Sequence, residues 1–310
     1  MELTAQLTNK IDAAVFVVLH IAHLHSGEAL VQRLQRSTSF TCKFANDGEM
    51  IQSGCLYMAV PDKHLLLKED KIVLGEGPPE NRWRPSIDAL FRSAAANYNS
   101  KVIGIILTGL LQDGTSGMLA IKRSGGTCIV QDPEEAEYPD MPLSVINHVK
   151  VDYCVSLQAM GAILAEKTKD GVPEKHKVPN DIQIEAQISE RVAIDIDQLK
   201  ELGNKSLFSC PDCGGGLWEM KEGGVVRYRC HTGHVYTQDE YAEKNKEALE
   251  NTLWVALRMM EERKQLMDKM AREENSKGWV RSAKAKEERA TEMDMHIERL
   301  KQILFDAKNN

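Results

Sequence analysis

Three cysteines and a histidine crowded into residues 210–234 constrain this chain more than any other feature. The stretch reads CPDCGGGLWEMKEGGVVRYRCHTGH. Cys210 and Cys213 are separated by two residues in a Pro/Gly-rich knuckle, and Cys230 and His234 by three. Two such short bites, joined by LWEMKEGGVVRYR as a β-hairpin turning at Gly223-Gly224, suit a tetrahedral zinc ion held by thiolate and imidazole. His231 competes for the fourth place, but its adjacency to Cys230 makes a poor shared bite, so His234 is expected there. Four protein ligands leave no open position, so the zinc is expected to be structural rather than catalytic. Apparent binding energies of about 10–16 kcal/mol are ample to fold a ribbon whose own core is too small to do so.

Clustered cysteines in a chain without a secretory signal point to metal chemistry in a reducing cytoplasm rather than to disulfides. MELTAQLTNK has no basic segment followed by an apolar one. Cys42, Cys55, Cys128 and Cys154 lie scattered among apolar residues and read as small core groups. No apolar run approaches the roughly 18–20 residues of a membrane span, so no membrane insertion is expected. The net charge of −7, with no basic stripe carrying interleaved aromatics, argues against a nucleic-acid partner. Apolar residues at 42% of 310 permit one sizeable core and about two domains.

Residues 1–165 alternate continuous apolar runs with helical patterns. AAVFVVLH (13–20), KVIGIILTG (101–109) and TCIVQD (127–132) read as strands buried on both faces. GEALVQRLQR, PSIDALFRSAAANY and GMLAIKRSGG read as helices, the second with Ser86 as its cap. Fully apolar strands between helices indicate a parallel sheet covered on both sides, an α/β domain. CLYMAVP and HLLLKEDKIVL, separated by turn residues, suggest hairpins. Residues 166–206 contain KTKDGVPEKHKVPND and read as a linker, followed by the zinc ribbon at 207–237. From 238 to 310 two apolar stripes (Leu249, Leu253, Ala256, Met260, Met267, Met270, then Ala290, Met293, Ile297, Leu300, Leu304) flank a break near Asn275–Gly278. They predict an antiparallel helical hairpin that packs on itself, with docking onto a partner or self-association as a second use.

His20 closes the first apolar strand, and Asp113 follows another in LTGLLQDGTSG. Ligands of parallel α/β sheets bind beyond the carboxyl ends of the strands, where both residues should project. A histidine oriented by a buried carboxylate is the base half of a nucleophilic triad. The same two residues also fit a hydrogen-bonded strand-end histidine and a turn or cap aspartate. The pattern alone leaves both readings open.

The strings VVLHIAHLHSG, GCLYMAVPDKHLLL, RPSIDALFRSAA, GIILTGLLQDGTSGMLAIKRSGG and IVQDPEEAEYPDMP occur in that order. Together they resemble the catalytic domain of CheB-type chemotaxis methylesterases over about residues 11–165. The segment from ELGNKSLFSCPDCGGGLWE to the helical tail resembles a zinc-ribbon extension of some members. The resemblance implies a doubly wound, mostly parallel α/β fold and a Ser-His-Asp hydrolase without a catalytic cofactor. It also implies, as substrate, the glutamate methyl esters of methyl-accepting chemoreceptors, with methanol released, and in some members deamidation of receptor glutamines. Carried over by position, His20 matches the general base, Asp113 the orienting carboxylate, and the Leu110 backbone N–H an oxyanion donor. Arg84 is placed for either a substrate contact or a structural salt bridge.

The family's serine lies in a Gly-rich turn ahead of the strand ending at His20. Here no serine precedes His20, and the first is Ser26. ELTAQLTNKID resembles the end of the helix that should follow the serine turn, so the first strand of the sheet is also expected to be absent. Ser26 reads as the cap of GEALVQRLQR and Thr8 as a surface helix residue, so neither is expected to substitute. Two expectations follow. A longer natural N-terminus would restore the methylesterase and cover the exposed sheet edge. Alternatively, the chain is a catalytically inactive, methylesterase-like interaction protein that binds receptors and uses its ribbon and hairpin for docking.

Overall fold

The computed structural model describes residues 1–8, 11–20, 27–169, 176–190 and 196–308. The chain forms two compact units, Met1–Glu240 and Tyr241–Asn310. The first unit opens with α1 (Glu2–Ala5), β1 (Val15–Val17), α2 (Gly27–Gln35), β2 (Thr41–Phe44) and β3 (Cys55–Met58). β3 enters between the other two strands, giving a parallel sheet in the order β1–β3–β2. CLYM is therefore a central parallel strand, not the hairpin arm expected from its flanking turns. Burial explains this: Leu56 and Tyr57 have no accessible surface, which a two-stranded ribbon cannot provide. The hairpin itself is β4 (His64–Lys68) with β5 (Lys71–Gly75).

Next come α3 (Ile87–Tyr98), β6 (Ile103–Ile106), α4 (Thr115–Arg123), β7 (Thr127–Gln131), α5 (Asp140–His148), β8 (Tyr153–Val155) and α6 (Leu157–Lys167). β6, β7 and β8 form a second parallel sheet in that order. Parallel strands with flanking helices are the expected α/β architecture. Among the described residues, β1 pairs only with β3 and β6 only with β7, so each leaves one edge open. Val15 and Val17 of β1 nonetheless pack in one apolar cluster with Ile103 and Ile105 of β6, below Leu7 and Ile11. Ser26, expected to cap α2, lies outside the described residues. Cys42, Cys55 and Cys128 are buried as expected of core thiols, whereas Cys154 is exposed.

The stretch 166–206 is not a plain linker. It carries α7 (Asn180–Glu190) and α8 (Ile196–Leu202), and Ile182, Ile184, Glu185, Ala186 and Ile188 of α7 are buried. Its charged, proline-bearing start hides an apolar stripe that packs against the α/β layers. An antiparallel sheet follows, β12–β11–β10–β9, built from β9 (Asn204–Ser209), β10 (Gly216–Glu222), β11 (Val225–Cys230) and β12 (Val235–Thr237). Its hairpin turns at Gly223 and Gly224, whose φ of 55° and 84° favour glycine.

α9 (Gln238–Ser276) and α10 (Val280–Lys308) are joined at Gly278, φ 80°. Lys264 pairs with Asp294 at 2.6 Å and Lys301 with Glu261 at 3.8 Å, the reversed order of an antiparallel hairpin. Leu257, Ile297 and Leu304 form its seam with Leu253, Met260, Met293 and Leu300. The expected stripe included Leu249, which is exposed, and omitted Leu257, which is buried. No described helix is long and apolar enough to cross a membrane.

Candidate active site and metal centre

The segments that follow β1 and β6 bring two distant residues together. His20 Nε2 lies 3.0 Å from Asp113 Oδ2. The oxygen sits off the ring N–H axis, an alignment that tightens in many active sites only when substrate is bound. The opposite face of the imidazole is covered by Trp83, whose ring stacks at 4.2 Å and 3° from parallel. With Nε2 turned to the carboxylate, Nδ1 is the nitrogen left for a nucleophile.

Asp113 is buried, and its position has a cause in the fold. Ser86 stands at the N-cap of α3 but makes no cap hydrogen bond of its own. Its hydroxyl donates instead to Asp113 Oδ1 at 2.8 Å, and the first backbone N–H groups of α3 reach the same carboxylate, Ile87 at 2.7 Å and Asp88 at 3.2 Å. Asp113 thus caps α3 from another element, where the helix N-terminus favours negative charge. Asn81 Nδ2 adds a further donor at 3.0 Å. Burial opposes the charge, but the contact with His20 and the donors from Ile87 and Asn81 hold Asp113 below the usual carboxylate range.

Asp88 is the contrasting carboxyl. It takes bonds from Asn81 Nδ2 at 2.7 Å and Gly117 N at 2.6 Å. Burial, and then the neighbouring charge of Asp113, push it up to about 7. Two adjacent carboxyls with opposed shifts divide their roles, with Asp113 the anion and Asp88 neutral in the lower range. Gly114 makes the junction possible. It has φ 98°, and a Cβ there would stand 2.5 Å from Ile106 Cδ1 and 2.9 Å from Ile87 Cγ2.

Leu110 lies in the loop between β6 and Asp113. Among the described residues no acceptor takes its N–H, and the next residue, Leu111, has φ 68°. A left-handed, non-glycine residue beside a free N–H marks a backbone held in a special shape. Arg84 donates from Nη1 to the Gly77 carbonyl at 3.0 Å and braces its own loop. His64 braces the same loop: Ser86 N donates to Nδ1 at 3.3 Å, so Nε2 carries the proton to the Pro78 carbonyl at 2.9 Å.

The sequence reading missed the residues around the pair, apart from Ser86, which it read only as a helix cap. Asn81, Trp83, Ser86 and Asp88 lie within one short segment, 80–88, whose only outward signal is the density of Pro, Asn and Trp in PPENRWRPSID. It also missed a buried ion cluster. Glu80 is held by Arg92 and by Arg229 at 3.3 Å, while Glu185 of α7 takes both Nη atoms of Arg227 at 3.1 Å. All five residues are at most 3% exposed.

Cys210, Cys213, Cys230 and His234 converge, with their ligand atoms all within 4.8 Å of one another. Cys213 and Cys230 sulfurs are 3.8 Å apart, and His234 Nδ1 lies 3.7 Å from Cys210 Sγ and 3.4 Å from Cys230 Sγ. A tetrahedron with Zn–S near 2.3 Å and Zn–N near 2.0 Å has edges of about 3.5–3.8 Å, so the donors fit zinc in both type and spacing. Tyr236 Oη donates to Asp212 at 2.7 Å and touches Cys210 Sγ at 3.1 Å, an outer contact that would orient a ligand.

The family model for CheB methylesterase matches residues 1–164. A Leptospira interrogans protein is 36% identical over 170 residues, 54% of this chain and 88% of that one. A protein-glutamate methylesterase/protein-glutamine glutaminase of Salmonella typhi is 34% identical over 160 residues, 50% of this chain and 46% of that one. The match thus spans about half the length of the Salmonella relative. The crystal structure of the Thermotoga maritima CheB methylesterase catalytic domain superimposes with a TM-score of 0.51 at 34% identity, over 53% of this chain and 89% of that one. With its paired histidine and aspartate, its parallel sheets and these relatives, the chain belongs to the CheB methylesterase family.

Proposed function

We propose that this chain supplies the general-base half of a protein-glutamate methylesterase acting on chemoreceptors, in keeping with the methylesterase activity named for its Salmonella relative. The observation that carries the reading is His20 set against an Asp113 that is itself fixed at the start of α3. In the proposed reaction a serine hydroxyl gives its proton to His20 Nδ1 while its oxygen bonds to the ester carbonyl carbon. Asp113 stabilises the imidazolium that results. The carbonyl oxygen becomes an oxyanion facing the Leu110 N–H. Collapse breaks the C–O bond, and methanol leaves with the proton from His20. Water then repeats the cycle in reverse, with His20 again as base, and frees the glutamate. With a glutamine side chain the leaving group is ammonia and the steps are the same.

The serine does not come from Ser86, whose buried hydroxyl is already committed to Asp113. Thr8 lies past α1 with its side chain exposed. In this proposal the serine sits on a strand seated along the open edges of β1 and β6, which lead to His20 and Asp113. The Cys210, Cys213, Cys230 and His234 cluster holds a structural zinc in the same proposal, because its donor set and spacing fit that ion. The α9–α10 hairpin retains exposed Trp254, Val255, Met259 and Leu266 as a surface for self-association.

The test is methanol release from a chemoreceptor bearing glutamate methyl esters. Turnover by the protein from its source cells, unchanged in Ser26→Ala, supports a base acting with a serine from elsewhere. Loss of turnover in Ser26→Ala would transfer the nucleophile to that residue. Receptor binding with no methanol at all would make the chain an interaction module.

A further inference from the structure

Residues Glu80 to Trp83 form a tight turn closed by two backbone bonds, Trp83 N to Glu80 O at 2.9 Å and Glu80 N to Trp83 O at 3.1 Å. Both central residues are left-handed, Asn81 at φ 50° and Arg82 at φ 69°. Such a turn favours glycine or asparagine, and arginine occupies it only under strain. It persists only if its surroundings hold it. This strained turn also carries two groups of the active site, the Asn81 amide on Asp113 and the Trp83 ring on His20.

The antiparallel sheet grips the turn at two points. Asn81 N donates to the Val235 carbonyl at 3.0 Å. Arg229 Nη2 reaches Glu80 Oε1 at 3.3 Å inside the buried ion cluster. Arg229 is the residue immediately before Cys230, and Val235 is the residue immediately after His234. Two of the contacts that hold the active-site turn are thus made by chain neighbours of two residues of the Cys/His cluster, beside those that Arg92 and Ser189 make to Glu80. Between them runs a knuckle closed by Cys230 N to His234 O at 3.0 Å and Gly233 N to Cys230 O at 3.1 Å. A third tie, Gln112 Nε2 to Asp239 at 3.0 Å, links the residue before Asp113 to the segment just after β12.

We infer that metal loading at Cys210, Cys213, Cys230 and His234 switches the esterase centre, by fixing Arg229 and Val235 and so clamping the strained Glu80–Trp83 turn that seats His20 against Asp113. The inference rests on the zinc reading of the cluster. Without the ion the knuckle loses its four-point anchor, the turn relaxes toward ordinary backbone angles, and Trp83 leaves the imidazole. Asn81 and Trp83 are then positioning residues for the hydrolysis, and the ribbon is a sensor of metal rather than an inert appendage.

The experiment uses the full chain labelled with 5-fluorotryptophan, with the Trp83 resonance assigned by Trp83→Phe. Zinc is removed by chelation, quantified, and restored, and Cys213→Ser is compared. The expected result is that zinc removal shifts and broadens the Trp83 signal reversibly and leaves Trp254 and Trp279 unmoved. Amide-exchange protection of β3 and β7 persists, and methanol release falls at least about tenfold and returns with zinc. A Trp83 signal unchanged after one zinc per chain has left would overturn the coupling and spare the zinc reading. Failure to bind zinc at all would overturn both. Loss of β3 and β7 protection together with the Trp83 shift would show that the metal merely supports the whole fold, and would also overturn the switch. The methylesterase reading stands or falls separately, on methanol release by the zinc-loaded protein.

Discussion

Replacing Asp113 by Asn tests the active-site geometry most sharply, because an amide has one acceptor atom where the carboxylate has two. Oδ2 faces His20 and the Ile87 N–H, whereas Oδ1 faces Asn81, Ser86 and the Asp88 N–H. The amide oxygen will keep the more crowded set, so the amide NH2 points at Ile87 N–H and His20. One charge-assisted bond at the start of α3 is lost, worth about 1.5–3 kcal/mol, and with it the favourable charge at the helix N-terminus, about 0.3–2 kcal/mol. Asp113→Asn should therefore cost about 2–5 kcal/mol in urea unfolding. The NH2 also donates to His20 Nε2 and so moves the ring proton to Nδ1, where the base is needed. The wrong tautomer costs on the order of 10⁴-fold in kcat in related chemistry, and a loss of that size in methanol release is expected from folded protein. A variant within tenfold of wild type, or one with unaltered stability, would refute the role given to Asp113.

Asp88 should show the opposite pH dependence. Its folded pKa is raised to about 7, so the stability it contributes is present at low pH and is lost as pH rises toward and through 7. Asp88→Asn should flatten that decline in thermal melts, with little effect in the acid range. The ion cluster runs the other way: Glu185 is held at about 2, against strong burial, by Arg227, Arg92 and Arg229. Its contribution is present above the ordinary glutamate range and is lost as pH falls from about 4.5 toward 2. Glu185→Gln should remove that acid limb and cost about 3–5 kcal/mol at neutral pH, by leaving buried Arg227 with Glu222 as its remaining carboxylate partner, as denaturant titration would show. Cys213→Ser should leave zinc bound at less than one per chain by metal analysis, and full occupancy would remove Cys213 from the ligand set.

The parallel α/β layers were legible because their strands are apolar on both faces and their helices carry clear periodicity. IGII and TCIV announce burial without any need for distant partners. His20 and Asp113 were singled out because each follows an apolar strand run, where ligand-binding residues collect, and the family resemblance gave them their roles. The Cys/His cluster was legible from spacing alone. What the sequence hid was tertiary. Cys55–Met58 looks like a hairpin arm until its burial between β1 and β2 is seen. Glu185 lies behind a charged, proline-bearing segment, so α7 read as part of a linker although its side chains enter the core. Arg227 and Arg229 alternate along β11 as a polar face should, yet that face turns inward to meet Glu185 and Glu80. Ser86 occupies a cap position by pattern, but its hydroxyl is drawn to Asp113, a residue far along the chain. Long-range packing and polar pairing, which no local window records, decided each of these.

The claim on which the rest depends is that His20 is the base. Methanol release from methylated chemoreceptor, measured with protein from cells carrying His20→Ala and with folding checked by circular dichroism, tests it directly. A loss of at least about a thousandfold with the fold intact is the predicted result. Turnover within tenfold of wild type would contradict it and move the chemistry away from the His20–Asp113 pair.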